Sequence, residues 1–309
     1  MSHNSSSSPV ITRNQSNSIP VGEGPRGMAI SNDGSHLFVC NRMSGNVSVI
    51  DTRIKKVIRT IAVEQYPQSI ILGHKGKRAY VTNYGSRSVS VIDTNTCAVG
   101  NVTVGRHPWE IVLSRDGKQV FVTVRQDKEW LAIMDTRTYA VSRVQGLPSP
   151  SISVGISQYD SRLYISSTNY PGGPYQDALT VLSSKTFEVI NIIKTEQYPS
   201  AVTVSPDGKK VYIVCQDARK LTVLDTDSST IQHLDFVTCE GKIVFGEKNA
   251  YAVDQTEKEV VEVNTSTHKI VRRVPIPGAF DPRYMVVDRH NRAYISDYQS
   301  DQVHIVNLP

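Results

Sequence analysis

Apolar and polar residues alternate along this chain with a period of two, in runs of five or six, and no stretch sustains the period of 3.6 that an amphipathic helix needs. The runs come in pairs. FVCN (38–41) and YVTN (80–83) each precede a VSVID, FVTV (121–124) precedes LAIMD, and YISS (164–167) precedes LTVLS. YIVC (212–215), YAVD (251–254) and YISD (294–297) precede LTVLD, VVEVN and VHIVN. From each leading aromatic to the next the steps are 42, 41, 43, 48, 39 and 43 residues. About thirteen residues upstream of most of them stands a proline, at Pro25, Pro67, Pro108, Pro150, Pro199 and Pro282, and Thr238 takes that place in the sixth unit. Between proline and aromatic an apolar segment closes on a turn, as in AISNDG, VLSRDG and VTVSPDG.

Each unit thus predicts four short antiparallel strands separated by Asp-Gly, Asn and Gly turns. One such sheet cannot bury both faces alone, but a ring of them stacked around an axis can, which makes each unit a propeller blade. Tyr80 to Thr94, YVTNYGSRSVSVIDT, resembles the signature of the YVTN-repeat seven-bladed β-propellers, and degraded copies recur in all seven units. The resemblance implies an all-β, seven-bladed ring of four-stranded antiparallel blades. It implies little about activity, since similar propellers serve as cell-surface repeats, as ligand- or DNA-binding modules, as haem-binding domains of nitrite reductases and as relatives of lactonases. The last unit ends after its third segment, and VITRNQSNSI (10–19) precedes PVGEGP as KVIRTI precedes AVEQYP. Residues 10–19 are therefore expected to complete the last blade and close the ring, leaving 1–9 as a disordered tail and 10–309 as one domain.

Composition narrows the functional classes. The balance of 34 Lys and Arg against 29 Asp and Glu gives a net charge of +5, but no basic run exceeds two residues, which argues against a nucleic-acid partner. No window approaches the ~20 apolar residues of a membrane helix, and the N-terminus has neither the basic nor the apolar region of a secretory signal. A cytoplasmic monomer away from membranes is expected. The four cysteines form no C-x-x-C and read as reduced thiols. With no H-x-H, H-E-x-x-H or EF-hand string, and no G-x-S-x-G or P-loop, neither metal nor cofactor is expected.

The inner strand of each blade lines the channel, so the residues after each proline ring one mouth. A first ring is expected to hold Arg26, Gln68, Trp109, Ser151, Ser200, Cys239 and Arg283, and a second Gly27, Ser69, Glu110, Ile152, Ala201, Glu240 and Tyr284. Their divergence at equivalent places suits a surface that meets something asymmetric. Asn41, Arg42, Asn83, His107, Arg125, Asp254 and Asp297 are expected at the same mouth. Arg26 and Arg283 belong to blades that adjoin across the closure, and either converge on a ligand carboxylate or phosphate or pair with acids such as Asp281 or Asp297. His107 with Glu110 or Glu240 offers an acid/base set, Trp109 an aromatic wall, and Cys239 a thiol that would be nucleophilic if partly exposed.

In the fourth unit the loop NYPGGPYQD (169–177) carries the excess of the 48-residue step, and Tyr170 and Tyr175 are expected over the mouth as a partial lid. Two functions fit. One is a binding propeller whose mouth takes a small polar or anionic ligand or a protein segment; the other is a lyase, hydrolase or isomerase acting on an anionic or zwitterionic metabolite there.

Overall fold

The computed structural model describes residues 17–125, 130–144, 147, 151–168, 177–246 and 249–308. The described residues form seven four-stranded antiparallel sheets and contain no helix. Blade one runs outward from the axis as Pro25–Ile30, His36–Asn41, Asn46–Asp51 and Lys56–Ala62, and the other blades repeat that order. The last blade takes its outer strand from the start of the chain: Ser18–Pro20 pairs with Gln302–Asn307, Ser18 opposite His304 and Pro20 opposite Gln302. The ring thus closes as expected, through a strand that ends at Pro20. Residues 10–16 of the expected strand lie outside the described residues.

Apolar side chains pack between blades, one cluster to each interface. Tyr80, Val89 and Val91 of blade two meet Ile111, Val120 and Val122 of blade three. Across the closure Ile19, Tyr294 and Val303 meet Met28, Leu37 and Val39. Each second strand is therefore buried on both faces, which is why it reads as a continuous apolar run rather than an alternation. Tyr164, Tyr212, Tyr251, Tyr294 and Phe121 are fully buried at these interfaces.

On one face of the ring three of the turns share a single design. In the Ser-x-Asp-Gly turns of blades one, three and five, the serine hydroxyl donates to the aspartate (Ser31 to Asp33, Ser114 to Asp116, Ser205 to Asp207) at 2.6 to 2.8 Å. It also accepts the N–H that opens the next strand, at 2.9 Å each time. Gly34, Gly117 and Gly208 complete these turns at φ of 71 to 73°, where a Cβ is disfavoured. The terminal Asp of each VSVID-type strand caps the next turn by accepting two N–H groups, as Asp93 does from Asn95 and Thr96. The threonine after it bonds to the glycine carbonyl of the neighbouring turn: Thr52 to Gly34, Thr94 to Gly76, Thr136 to Gly117 and Thr226 to Gly208. The repeated Asp-Thr pair is thus a clasp between two turns. Grooves of about 530 and 420 Å³ open beside blades one and three, at equivalent residues Phe38 and Phe121, and belong to the repeat.

Candidate functional site

On the opposite face one hydrogen bond fixes which residues are equivalent. In six blades the N–H of the residue after the second strand donates to a C=O of the segment leading into the inner strand: Arg42 to Gly24, Tyr84 to Tyr66, Arg125 to His107, Gln216 to Tyr198, Gln255 to Thr238 and Tyr298 to Asp281. In blade six this puts Cys239, not Thr238, where proline stands elsewhere, and moves Glu240 into the first ring. In blade four Ser151 pairs with Ser167 as Pro25 pairs with Asn41 and Pro67 with Asn83, so Ile152 takes the ring position. Both findings correct the ring read from the prolines, which becomes Arg26, Gln68, Trp109, Ile152, Ser200, Glu240 and Arg283. Glycine carried the missed signal. A Cβ on Gly27 would meet the Gln68 carbonyl oxygen at 2.6 Å, and one on Gly241 would meet that of Arg283 at 2.6 Å, so PRG aligns with CEG.

Glu240 bridges the two arginines. Its Oε1 accepts from Arg26 Nη2 and its Oε2 from Arg283 Nη1, the latter at 2.7 Å. Asp281 takes Nε and Nη2 of Arg283 at 3.0 and 2.8 Å. Arg26, only 5% exposed, also donates to Gln68 Oε1 at 3.0 Å, and Gln68 Nε2 donates to the Tyr284 hydroxyl at 3.2 Å. The guanidiniums that the sequence aimed at an incoming anion are thus held by resident carboxylates. Burial pushes the Arg283 pKa down, but the bonds to Asp281 and the charges of Glu240 and Asp281 outweigh it and leave the pKa above its ordinary value.

Arg42 is placed differently. Its Nη1 donates to the same Gln68 oxygen, and its guanidinium lies over Tyr84, Tyr66 and Trp109 at 4.7, 5.4 and 6.0 Å from the ring centres. No carboxylate among the described residues pairs with it. Burial first, and then the charge of Arg26, lower its pKa below the ordinary arginine value, the mark of an under-compensated cation. The stack continues to either side. Arg283 lies over Tyr298 at 4.5 Å, Arg26 over Tyr298 at 5.5 Å, and Arg125 over Trp109 at 4.9 Å. Deeper in the channel Glu110 accepts from the Ser69 hydroxyl at 2.8 Å and lies 3.4 Å from Lys242 Nζ, which itself donates to the Val154 carbonyl at 3.2 Å. Lys242 therefore ties blade six to blades three and four.

Several expected site residues serve the scaffold instead. Asn41, Asp254 and Asp297 are buried at the ends of their second strands. Asn41 donates to Asn46 and Ser48 at 2.6 and 2.8 Å, and Asp254 accepts from Arg273 at 3.0 Å. Asp297 accepts from the Phe280 and Asp281 N–H groups and from His304. Burial raises its pKa, but these bonds outweigh it and hold the carboxyl well below the usual range. Cys239 is fully buried, with Sγ 3.0 Å from the Gly241 carbonyl, and burial pushes its thiol up to about 12, which corrects the expectation of a partly exposed nucleophile. His107 is exposed at φ 53°, stacked on Tyr84 at 4.6 Å, with Nδ1 3.3 Å from the Tyr84 carbonyl. No hydrogen bond joins it to Glu110 among the described residues. Tyr170 and Tyr175 lie outside the described residues.

The sequence reading missed Tyr66, Tyr84, Tyr298 and Lys242. A column would have shown two of them, Tyr84 and Tyr298: the residue after the second strand reads Tyr298, Arg42, Tyr84 and Arg125 through blades seven, one, two and three, and Thr168, Gln216 and Gln255 in the rest. Half of the mouth is an alternation of aromatic rings and guanidiniums, and the other half is neutral at that level.

No family model matches the chain. Over an alignment of 123 residues, which covers 37% of this chain, it is 33% identical to a seven-bladed beta-propeller protein of Mycobacterium tuberculosis, and the match spans only 28% of that protein's length. Among solved structures the chain resembles hydrazine synthase of Kuenenia stuttgartiensis, with a TM-score of 0.82 and 19% identity over 97% of this chain and 99% of that one. It also resembles the Cps50 (Swd1) beta-propeller domain of Myceliophteria thermophila (0.80, 12%, covering 95% and 98%) and virginiamycin B lyase of Staphylococcus aureus (0.77, 14%, covering 93% and 95%). At such identities the likeness concerns the ring alone.

Proposed function

We propose that the chain is a binding propeller whose mouth takes the carboxylate or phosphate of a small ligand, or of a partner segment, on Arg42. The observation that carries this reading is a half-buried guanidinium with aromatic faces around it, a neutral glutamine as its hydrogen-bond partner and no counter-charge. An anion docking there would gain a charge-assisted bond in partly desolvated surroundings, with Arg26 nearby adding to the field. The aromatic rings pin the arginine in advance, so little side-chain entropy is lost on binding. Acid/base chemistry has less support, because Glu110, Glu240 and Asp281 are each engaged in ion pairs or hydrogen bonds of the mouth itself.

The test is a thermal-shift screen of carboxylate and phosphate metabolites, followed by calorimetric titration, on wild type, Arg42→Gln and Arg59→Gln. Arg59 lies on an outer strand and serves as the control. The expected result is a stabilising anion whose affinity falls at least about tenfold in Arg42→Gln, the loss of one charge-assisted bond, and is unchanged in Arg59→Gln. An anion that stabilises Arg42→Gln as well as wild type, or a screen in which no anion stabilises wild type, overturns the reading.

A further inference from the structure

Outer strands are edges, with one row of N–H and C=O groups facing away from the sheet, and most blades of this ring blunt theirs. Blade seven's outer strand carries Pro20, blade two has Gly100, and blade three has Arg143. Asp235 closes the outer strand of blade five. Blades one and six each carry a bulge whose extra residue is an exposed aliphatic, Ile58 or Val271, followed at once by Arg59 or Arg272. Blade four has the same bulge, at Ile190, but the uncharged Asn191 follows it, its Oδ1 accepting the Ile192 N–H at 2.9 Å, a bond that pairing with a second strand exchanges for a backbone one. Its outer strand, Val189–Lys194, leaves Val189, Ile190 and Ile192 exposed at 48, 53 and 52%, and it bears no charge before Lys194. Val189 lies opposite Leu182 and Ile192 opposite Thr180, two positions apart on one strand, so both project from one face.

Read in reverse, Glu188-Val-Ile-Asn-Ile-Ile-Lys194 keeps its apolar pattern about Asn191 and exchanges an acid for a base at its ends. Laid antiparallel on a second copy about Asn191, it puts Ile190 opposite Ile192, Val189 opposite Ile193 and Glu188 opposite Lys194, with the ion pair formed twice. Glu188 and Lys194 are exposed, and neither has an ionic partner among the described residues. In the same arrangement blades one and six would bring arginines into each other's field, where like charges repel. We propose that the outer edge of blade four is a self-association surface, on which two copies pair edge to edge about a two-fold axis at Asn191 to make one eight-stranded sheet. This departs from the monomer expected from the sequence, and it stands independently of the anion site.

Sedimentation of the full chain over a range of concentrations is the test, with unfolding curves to confirm that variants fold. Wild type is expected to dimerise. Glu188→Lys alone weakens the dimer by about tenfold or more, since two ion pairs become two repulsions, while Glu188→Lys with Lys194→Glu restores it. Asn191→Cys is expected to give a disulfide-linked dimer on mild oxidation, as Cα atoms directly opposite lie about 4.5–5.5 Å apart, within the span a disulfide bridges. A wild type that stays monomeric overturns the proposal. So does a double reversal no better than the single one, or a dimer that Asn191→Cys fails to cross-link.

Discussion

On the face of the Asp-Gly turns, Ser31, Ser114 and Ser205 make the same pair of hydrogen bonds in three blades, whereas at the mouth Arg26, Gln68, Trp109 and Glu240 occupy equivalent places and share no contact pattern. The turn bonds span a few residues and are satisfied within a blade or with its neighbour. Those of the mouth join Arg26 to Glu240 and Gln68 to Tyr284, more than 200 residues apart in sequence. A scaffold of local devices lets the ring hold its shape whatever the mouth carries. The mouth is then free to diverge, and its stability is one coupled network rather than a set of separate bonds.

The largest expected effect breaks the turn face. Asp33, Asp51, Asp93, Asp116, Asp135, Asp207 and Asp225 all have depressed pKa values. The leading causes are the Ser31 hydroxyl for Asp33, Arg53 for Asp51 (down to about 2), the Thr96 N–H for Asp93 and the Lys118 N–H for Asp116. For Asp135, Asp207 and Asp225 they are the Thr138 N–H, the Ser205 hydroxyl and Lys210. A carboxylate held below its unfolded value of 3.8 adds stability that is complete above that value and is lost as pH falls through the folded one. Urea midpoints are therefore expected to hold from pH 7 to about 5 and to drop steeply below about 4. A flat profile down to pH 2.5 would show that the turns do not carry the scaffold.

Next in size is a break at the mouth. Glu240→Ala leaves Arg26 buried without its carboxylate and is expected to cost about 3 kcal/mol in chemical denaturation. A loss under about 1 kcal/mol, typical of an exposed pair, would make the bridge ornamental. Pairing the mutation with Arg26→Met should recover part of the loss, because the two changes remove one shared interaction. Thr94→Val and Thr136→Val offer the contrast: each removes one clasp to a neighbouring turn and should cost about 1 kcal/mol. Their effects should add within about 0.5 kcal/mol. Coupling at the clasps, or strict additivity at the mouth, would erase the distinction between the two faces.

How much could be read from the chain follows the same division. Seven blades, the closure and the turn chemistry are legible because each strand alternates or runs apolar by its own burial, and each Asp-Gly turn needs only nearby residues. The rings were legible only where proline marked them. Cys239 stands at a proline place and looks like a ring residue until the Gly27 and Gly241 approaches set the register, and only then does Glu240 reach both arginines. Asn41, Asp254 and Asp297 looked like ligands because polar residues at strand ends near a channel resemble a site. Their partners are their own hairpins and loops, a matter of side-chain direction that position alone does not give.

The smallest effect is expected at His107, and it asks whether the mouth has a chemical side at all. The imidazole is exposed and stacked on Tyr84, and its nitrogen reaches a carbonyl rather than an acid. Removing it should therefore trim one solvent-facing ring contact. His107→Ala is expected to change stability by no more than about 0.5 kcal/mol and to leave anion affinity within about twofold of wild type. Arg42 keeps its Trp109 and Gln68 contacts in that variant, so the cation stays in place. A tenfold change in affinity or in any turnover of the bound anion, with the fold intact, would give His107 a role beyond stacking. It would also bring the exposed rim of the mouth into the site, which the paired carboxylates confine to the arginines.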